Sequence, residues 1–299
     1  RAKRLNIPVV MGSATPALES ILNTKEARYT PLALTQRAGD ATPPSFELHD
    51  IRGVELDTGL APEVIHRIHD HLTLGNQVLV FINRRGFAPT LMCQQCGSTV
   101  DCTRCDAHMT LHRSPPKLHC HHCDRQTPIP RCCTTCGSDE LRPAGSGTER
   151  LEDRLTERFE TTRIHRVDRD STHSRRAFET LMNQVNTGEP CILVGTQMLA
   201  KGHHFPNVTL VVIVNADAGL FSADLRGMER TAQLIMQVAG RAGRAERPGE
   251  VILQTMHADH PLLNTLVHGG YRIFAEQELS ARQTAQLPPF SHQAIIRAE

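Results

Sequence analysis

QVLVFINRRGFAPTLMCQQC, residues 77–96, decides how this chain is built. Its first part, Gln77 to Asn83, is apolar at nearly every position. A strand without polar alternation is buried on both faces, which requires a sheet covered by helices on both sides, usually a parallel one. Its last four letters open a cysteine block: Cys93/Cys96, Cys102/Cys105, Cys120/Cys123 and Cys133/Cys136 are four Cys-x-x-Cys pairs between residues 93 and 136. A strand of an α/β sheet therefore runs directly into a segment of different chemistry.

Two thiolates three positions apart meet one ion across a tight turn, and two such pairs supply the tetrahedral sulfur shell of a structural Zn2+. Disulfides are the alternative, and the regular short spacings with no secretory signal argue against them. The residues after the second cysteines indicate which pairs share an ion. The outer pairs end in Gly97 and Gly137, and the inner pairs in Asp106 and Asp124. That position favours left-handed backbone, which Gly, Asn and Asp tolerate best. A nested scheme follows, with Cys93, Cys96, Cys133 and Cys136 on one ion and Cys102, Cys105, Cys120 and Cys123 on the other. Sequential pairing stays open, although the short spacer from Cys96 to Cys102 makes it cramped. Cys132, beside Cys133, and the neighbouring His121 and His122 are potential substitutes; spacing favours Cys133 and surface histidines. A segment this short cannot bury enough apolar surface to fold alone, so the metals carry much of its stability. Eight thiolates around two ions leave no open position for catalysis.

Outward from the block, strands alternate with helices. Before it come a buried strand over Ile7–Met11, a turn at Gly12–Thr15, a helix over Ala17–Ala27, a Gly/Pro-bearing linker, a strand over Phe46–Ile51 and a helix beginning at Ala61-Pro62-Glu63. After it, helices are expected over Glu149–Phe159, Ser174–Asn186 and Met228–Ala239, and strands over Ile164–Asp168, Cys191–Val194, Val208–Val214 and Glu250–Gln254. This rhythm argues for a parallel α/β sheet. Gln293–Glu299 alternates like the first strand of a further domain, and the absence of an initiator Met reads as a chain cut from something larger. With 39% hydrophobic and 22% charged residues the composition is that of a soluble globular protein. The net charge of +1 gives no global nucleic-acid signal, so a basic surface has to be local. The longest apolar run, Val208–Val214, is far too short to span a bilayer.

One further string carries chemistry on its letters alone. In Gln237-Val-Ala-Gly240-Arg241-Ala-Gly243-Arg244, two arginines three residues apart on one helical face can both reach an anion. The competing reading is a solvated basic helix end, favoured by the dipole.

QVAGRAGR (237–244) resembles motif VI of superfamily 2 helicases, GSATP (12–16) motif III, and VGTQMLAKGHHFP (194–206) motif V. Together with FINRRGF (81–87) entering four Cys-x-x-Cys pairs, these resemble the replication-restart helicases of bacteria through essentially the whole chain. The resemblance implies a RecA-like parallel-sheet helicase lobe with an inserted two-zinc cysteine-rich subdomain. It implies six segments: 1–30, the end of a first RecA-like lobe; 31–45, a linker; 46–92 and 137–265, the second lobe; 93–136, the zinc-binding insertion; and 266–299, a connecting helix and the start of a C-terminal domain. Arg241 and Arg244 match the arginines that reach the γ-phosphate, an arginine-finger role. Gln237 and Gly240 belong to the same motif, the amide orienting water or phosphate. Gly12, Ser13, Ala14 and Thr15 would couple the nucleotide site to DNA. Gly195, Thr196, Gln197, Lys201 and Gly202 follow a buried strand and would contact DNA phosphate at its C-terminal end.

The implied activity is ATP-dependent 3′–5′ unwinding that remodels stalled replication forks, in the bacterial cytoplasm. ATP and Mg2+ belong to the complete protein. The partners would be forked, branched and single-stranded DNA, other primosome proteins and single-stranded DNA-binding protein, with no membrane. No Gly-x-x-x-x-Gly-Lys-Ser/Thr loop occurs, and Asp139-Glu140 is a poor imitation of an acidic Walker B end. The chain by itself is therefore expected not to hydrolyse ATP. Two other classes compete: a non-catalytic docking module, against which both motif VI arginines speak, and a thiol-exchange protein, which two bound zinc ions per chain would exclude. Arg104, Arg113, Lys117, Arg125 and Arg131 make the block locally basic, whereas its lack of Phe, Tyr and Trp argues against base stacking there.

Overall fold

A computed structural model of the chain describes residues 2–34, 42–57, 59–82, 90–105, 108–113, 116–120, 122–143, 151–167, 175–196, 199, 205–221, 224–243 and 248–294. After the short helix α1 (Ala2–Leu5) and α2 (Leu18–Lys25) come β1 (Ser45–Asp50), α3 (Pro62–Thr73) and β2 (Gln77–Phe81). The cysteine block holds β3 (Leu91–Cys93), β4 (Thr110–Arg113), β5 (Pro116–His119), β6 (Gln126–Thr127) and β7 (Leu141–Pro143). Then follow α4 (Leu151–Arg158), β8 (Arg163–Val167), α5 (Arg175–Asn186), β9 (Cys191–Gly195), β10 (Val208–Ile213), a 3-10 turn (Ala216–Gly219), α6 (Gly227–Ala239), β11 (Glu250–Thr255) and α7 (Pro261–Thr284).

Six strands form one sheet in the order β1-β11-β10-β2-β9-β8, and every neighbouring pair is parallel. The apolar run that opened the reading is the reason β2 lies inside it. Val78 and Val80 face α3 and α4, packing with Val64, Ile68, Leu151 and Leu155, while Leu79 and Phe81 face the other way, onto the layer of α2, α5, α6 and α7. All four are at most 1% exposed. The parallel α/β class is thus what forms, in three layers.

The strand expected over Ile7–Met11 does not form: the segment is irregular, with Val10 83% and Met11 64% exposed. A strand needs a neighbour to satisfy its backbone groups, and among the described residues this segment pairs with none. The alternating tail falls mostly on residues 295–299, outside the described residues, and 292–294 have no regular structure.

The cysteine block leaves the sheet at the C-terminal end of β2 and is closed at its base by the antiparallel pair β3–β7, with Leu91 opposite Pro143 and Cys93 opposite Leu141. Inside it, β4, β5 and β6 form a small antiparallel sheet around Leu111 and Leu118.

Candidate metal centres and motor motifs

The sulfurs gather as two nested sets, Cys93/Cys96/Cys133/Cys136 and Cys102/Cys105/Cys120/Cys123, which decides against sequential pairing. Cys93 and Cys136 Sγ lie 3.6 Å apart, Cys96 and Cys133 3.7 Å, Cys102 and Cys123 3.5 Å, and Cys105 and Cys120 3.5 Å. A regular tetrahedron with metal–sulfur bonds of about 2.3 Å has an edge of ~3.8 Å, so these sets fit one thiophilic ion each. Disulfides are absent, all ten cysteines being free.

Three knuckles share one backbone pattern. The amides of Gly97, Gly137 and Asp124 donate to the carbonyls of Cys93, Cys133 and Cys120, each at 2.9 Å, and their φ angles are 76°, 79° and 63°. The left-handed position after the second cysteine is therefore real; Asp106 lies outside the described residues. Amide groups then point at sulfur, from Arg104 to Cys102 at 3.4 Å and from Thr135 to Cys133 at 3.3 Å. Ligand spacing gives no hint of Ser98, whose Oγ lies 3.0 Å from both Cys96 and Cys133 Sγ. Hydrogen bonds from Ser98 and from neighbouring amides bring the Cys133 thiol down to about 5, and the Arg104 amide brings Cys102 down to about 6. Both shifts favour the thiolate that a metal requires, while in the same two sets Cys136 is raised to about 12 and Cys123 is raised as well, so without an ion the sulfurs of each set share protons. Cys132 and His122 are exposed, away from the two sets, and His121 lies outside the described residues.

The block docks on the C-terminal edge of the large sheet. A Cβ on Gly97 would sit 3.0 Å from the Met256 carbonyl, just past β11. The Phe221 ring lies 5.0 Å from His108 of the block and 4.6 Å from His257 of the lobe. Arg52, just past β1, bonds Asp50 at 2.9 Å and Asp259 at 3.1 Å beside the same contact. Beneath it, Asp217 of the 3-10 turn accepts from the Thr255 hydroxyl and, at 2.8 Å, from the Met256 amide.

The residues singled out by their resemblance to motor motifs divide between two places. Gly195 ends β9, where a Cβ would meet the Val167 carbonyl at 2.4 Å, and Thr196 beside it is 9% exposed, on the same C-terminal edge as the cysteine block. Gln197, Lys201 and Gly202 lie outside the described residues. The motif VI residues are at the other edge. Helix α6 ends at Ala239 with Gly240 as its cap, and Gly243, with φ 64°, donates to the Val208 carbonyl at the start of β10. The expectation of two arginines on one helical face fails for this reason: Arg241 lies beyond the helix, and Gly243 turns the chain against Gly249, leaving 2.3 Å to a Cβ. Arg244 lies outside the described residues.

The Gly12–Pro16 turn meets the helix that carries Gln237 directly. The Ser13 hydroxyl accepts from the Thr15 amide at 3.1 Å, while Gly12 and Ala14 are exposed. Gln237 donates through Nε2 to Thr15 Oγ1 at 3.1 Å, so its amide is engaged with the turn. Gln233, one helical turn earlier, points the same way and was legible as an i, i+4 partner of Gln237. Two buried groups had no such signal. Arg282 and Glu229, 3% and 2% exposed, approach to 3.6 Å, and Glu229 Oε1 accepts from the Leu18 amide at the start of α2 at 3.0 Å.

Comparison with known proteins adds three findings. Residues 102–128 match the PriA DNA helicase Cys-rich region (CRR) domain, and residues 145–246 match the helicase conserved C-terminal domain. Replication restart protein PriA of Haemophilus influenzae is 50% identical over 298 residues, covering 100% of this chain and 41% of the relative; that of Bacillus subtilis is 38% identical over 300 residues, covering 99% and 37%. The chain thus spans about two fifths of the length of these relatives. Yeast Dbp5 L327V bound to RNA and ADP BeF3 aligns with a TM-score of 0.44 at 13% identity, over 95% of this chain and 56% of that one. Among the described residues no helix is long and apolar enough to cross a membrane.

Proposed function

Because this chain belongs to the family of replication restart protein PriA, we propose that it forms the second motor lobe, the end of the first and the zinc-binding insertion of an ATP-dependent 3′–5′ DNA helicase. The observation that carries this reading is the junction of Gln237 with Thr15, which ties the motif VI helix to the motif III turn. In this reading residues 1–30 close the first lobe, 31–45 link it to the second, 46–92 and 137–265 are the second lobe, 93–136 are the insertion, and 266–299 are a connecting helix and the start of a C-terminal domain. Arg241 and Arg244 stabilise the charge developing on the γ-phosphoryl group of a Mg2+-bound ATP. Gln237 with Gly240, and Gly12, Ser13, Ala14 and Thr15, form the coupling path. Thr196 and Gly195, with Gln197, Lys201 and Gly202, hold a DNA phosphate.

Each tetrathiolate set takes one structural Zn2+, its sulfur spacing and knuckle amides being the support. The ions do no chemistry; they stiffen a module rooted on the same sheet edge as Thr196. Arg104, Arg125 and Arg131 are exposed on it and suit the phosphates of a displaced strand. Stalled forks, branched and single-stranded DNA are the substrates, and other primosome proteins and single-stranded DNA-binding protein the partners, in the bacterial cytoplasm. In the full-length protein, Arg244→Ala and Arg241→Ala should each lower kcat for DNA-stimulated ATP hydrolysis by about 10³-fold or more, with KM for ATP within a few-fold. Parental turnover in both variants would refute the arginine assignment. The isolated chain, which has no phosphate-cradling loop, should show no ATP turnover that Arg244→Ala abolishes.

A further inference from the structure

The Ser13–Pro16 turn is held by more than motif VI. Tyr271, 6% exposed, donates its hydroxyl proton to the Pro16 carbonyl at 2.8 Å. The phenol oxygen in turn accepts from Gln233 Nε2 at 3.1 Å, and that amide also reaches the Thr15 carbonyl at 3.3 Å. Gln237 completes the set on Thr15 Oγ1. One α7 side chain and two α6 side chains therefore clasp two successive residues of the turn.

Backbone geometry places the tyrosine. Gly270, with φ 70° and ψ −178°, interrupts α7 immediately before Tyr271, so the second half of the helix starts afresh with its first ring facing the turn. Phe274 packs against that ring at 5.7 Å, and farther along Arg282, braced by Glu278 one turn earlier, anchors the same half-helix through Glu229 and the Leu225 carbonyl. The half-helix is thus fixed to α6 at its far end and presents Tyr271 to the turn at its near end. The phenol hydroxyl is used in both senses, as a donor to the turn and as an acceptor from α6, so removing it unpairs both sides at once.

We propose that Tyr271, acting through Gln233, is a positioning residue that locks the Ser13–Pro16 turn to α6, so that motion of the Gly240–Arg241 segment that follows α6 is passed through the helix to the turn. This rests on the motor reading above. The function served is coupling: ATP turnover without the lock proceeds, but less of it is converted into strand separation.

The test uses the full-length protein, with forked duplex DNA and ATP. Tyr271→Phe keeps the ring and its core contacts and removes only the hydroxyl. Base pairs unwound per ATP should fall about tenfold, on the order of the loss of one buried hydrogen bond, while DNA-free turnover and KM for ATP stay at the parental values and the melting temperature falls by about 5 °C at most. Gln233→Met should give the same loss, and the double variant should lose no more than either single one, since both act through one circuit. Parental coupling in Tyr271→Phe, or losses that multiply in the double variant, would overturn the proposal. Should Tyr271→Phe melt more than about 5 °C below the parent, Gln233→Met decides by the same ratio. A parent protein that unwinds no DNA would refute the motor reading itself, which separates that failure from a failure of the lock.

Discussion

Asp217 shows how much one side chain can carry at the join between module and lobe. It is 4% exposed, and burial raises its carboxyl from 3.8 to about 6 despite hydrogen bonds from Thr255 and the Met256 amide; the charge of Asp50 pushes the same way as burial. A folded pKa above the unfolded one means that the native state holds the extra proton between the two values. Stability from this group is therefore fully present below about pH 4 and is lost as pH rises through about 6. The displacement corresponds to ~3 kcal/mol as an order of magnitude. Asp217→Asn removes the charge, keeps one oxygen to accept from the Met256 amide, and turns its NH2 group toward the Thr255 hydroxyl, whose oxygen can accept from it. Urea midpoints measured from pH 4 to 7 should show the variant gaining stability relative to the parent by ~3 kcal/mol across that window; a constant difference would refute the assignment.

At the scale of the element, the knuckles differ in what surrounds them. Gly97 and Gly137 both have left-handed backbone, but a Cβ on Gly137 meets nothing within 4 Å, whereas one on Gly97 meets the Met256 carbonyl at 3.0 Å. Gly137→Ala should therefore cost about 1 kcal/mol through backbone strain alone. Gly97→Ala should cost more, about 2–3 kcal/mol, because the carbonyl it strikes belongs to the lobe. Thermal melts of the two variants check the order, and amide exchange of Met256 and His257 should quicken only in Gly97→Ala. The element pattern was largely legible: β2 and β10 fall within the apolar runs that marked them and β9 overruns its own only by Gly195, since burial on both faces leaves a plain signature. Ile7–Met11 carries the same signature and forms no strand, because pairing depends on a neighbour and not on local pattern.

For the molecule as a whole, the two stabilities are separable. The sheet rests on two apolar layers, the cysteine module on a small cluster around Met109, Leu111 and Leu118 and on its sulfur sets. Structural zinc in small finger peptides is worth on the order of 10 kcal/mol, more than so small a core supplies. A strong chelator should therefore strip hydrogen-exchange protection from β4, β5 and β6 while β2, β9 and β10 keep theirs. Cys102→Ser should do the same with metal present. Simultaneous loss of protection in the large sheet would show that the module is instead part of one cooperative unit.

The letters by themselves determined the parallel α/β class, the four thiol pairs and the left-handed residues that close the three described knuckles, and they favoured the nested order that the folded sulfur sets then decided. Each is a local or periodic property: side-chain burial along a strand, ligand spacing, and the backbone freedom of Gly and Asp. Tertiary structure alone decided where those pieces meet. It put Thr196 and the cysteine module on one sheet edge and Gly243 on the other, ended α6 before Arg241, and drew Gln233, Tyr271, Glu229 and Arg282 to the turn and helix around Thr15 and Leu18. The bonds that tie Thr15, Pro16 and Leu18 to α6 and α7 join residues more than two hundred positions apart, and no window of sequence contains both partners of a bond that only the folded sheet brings together.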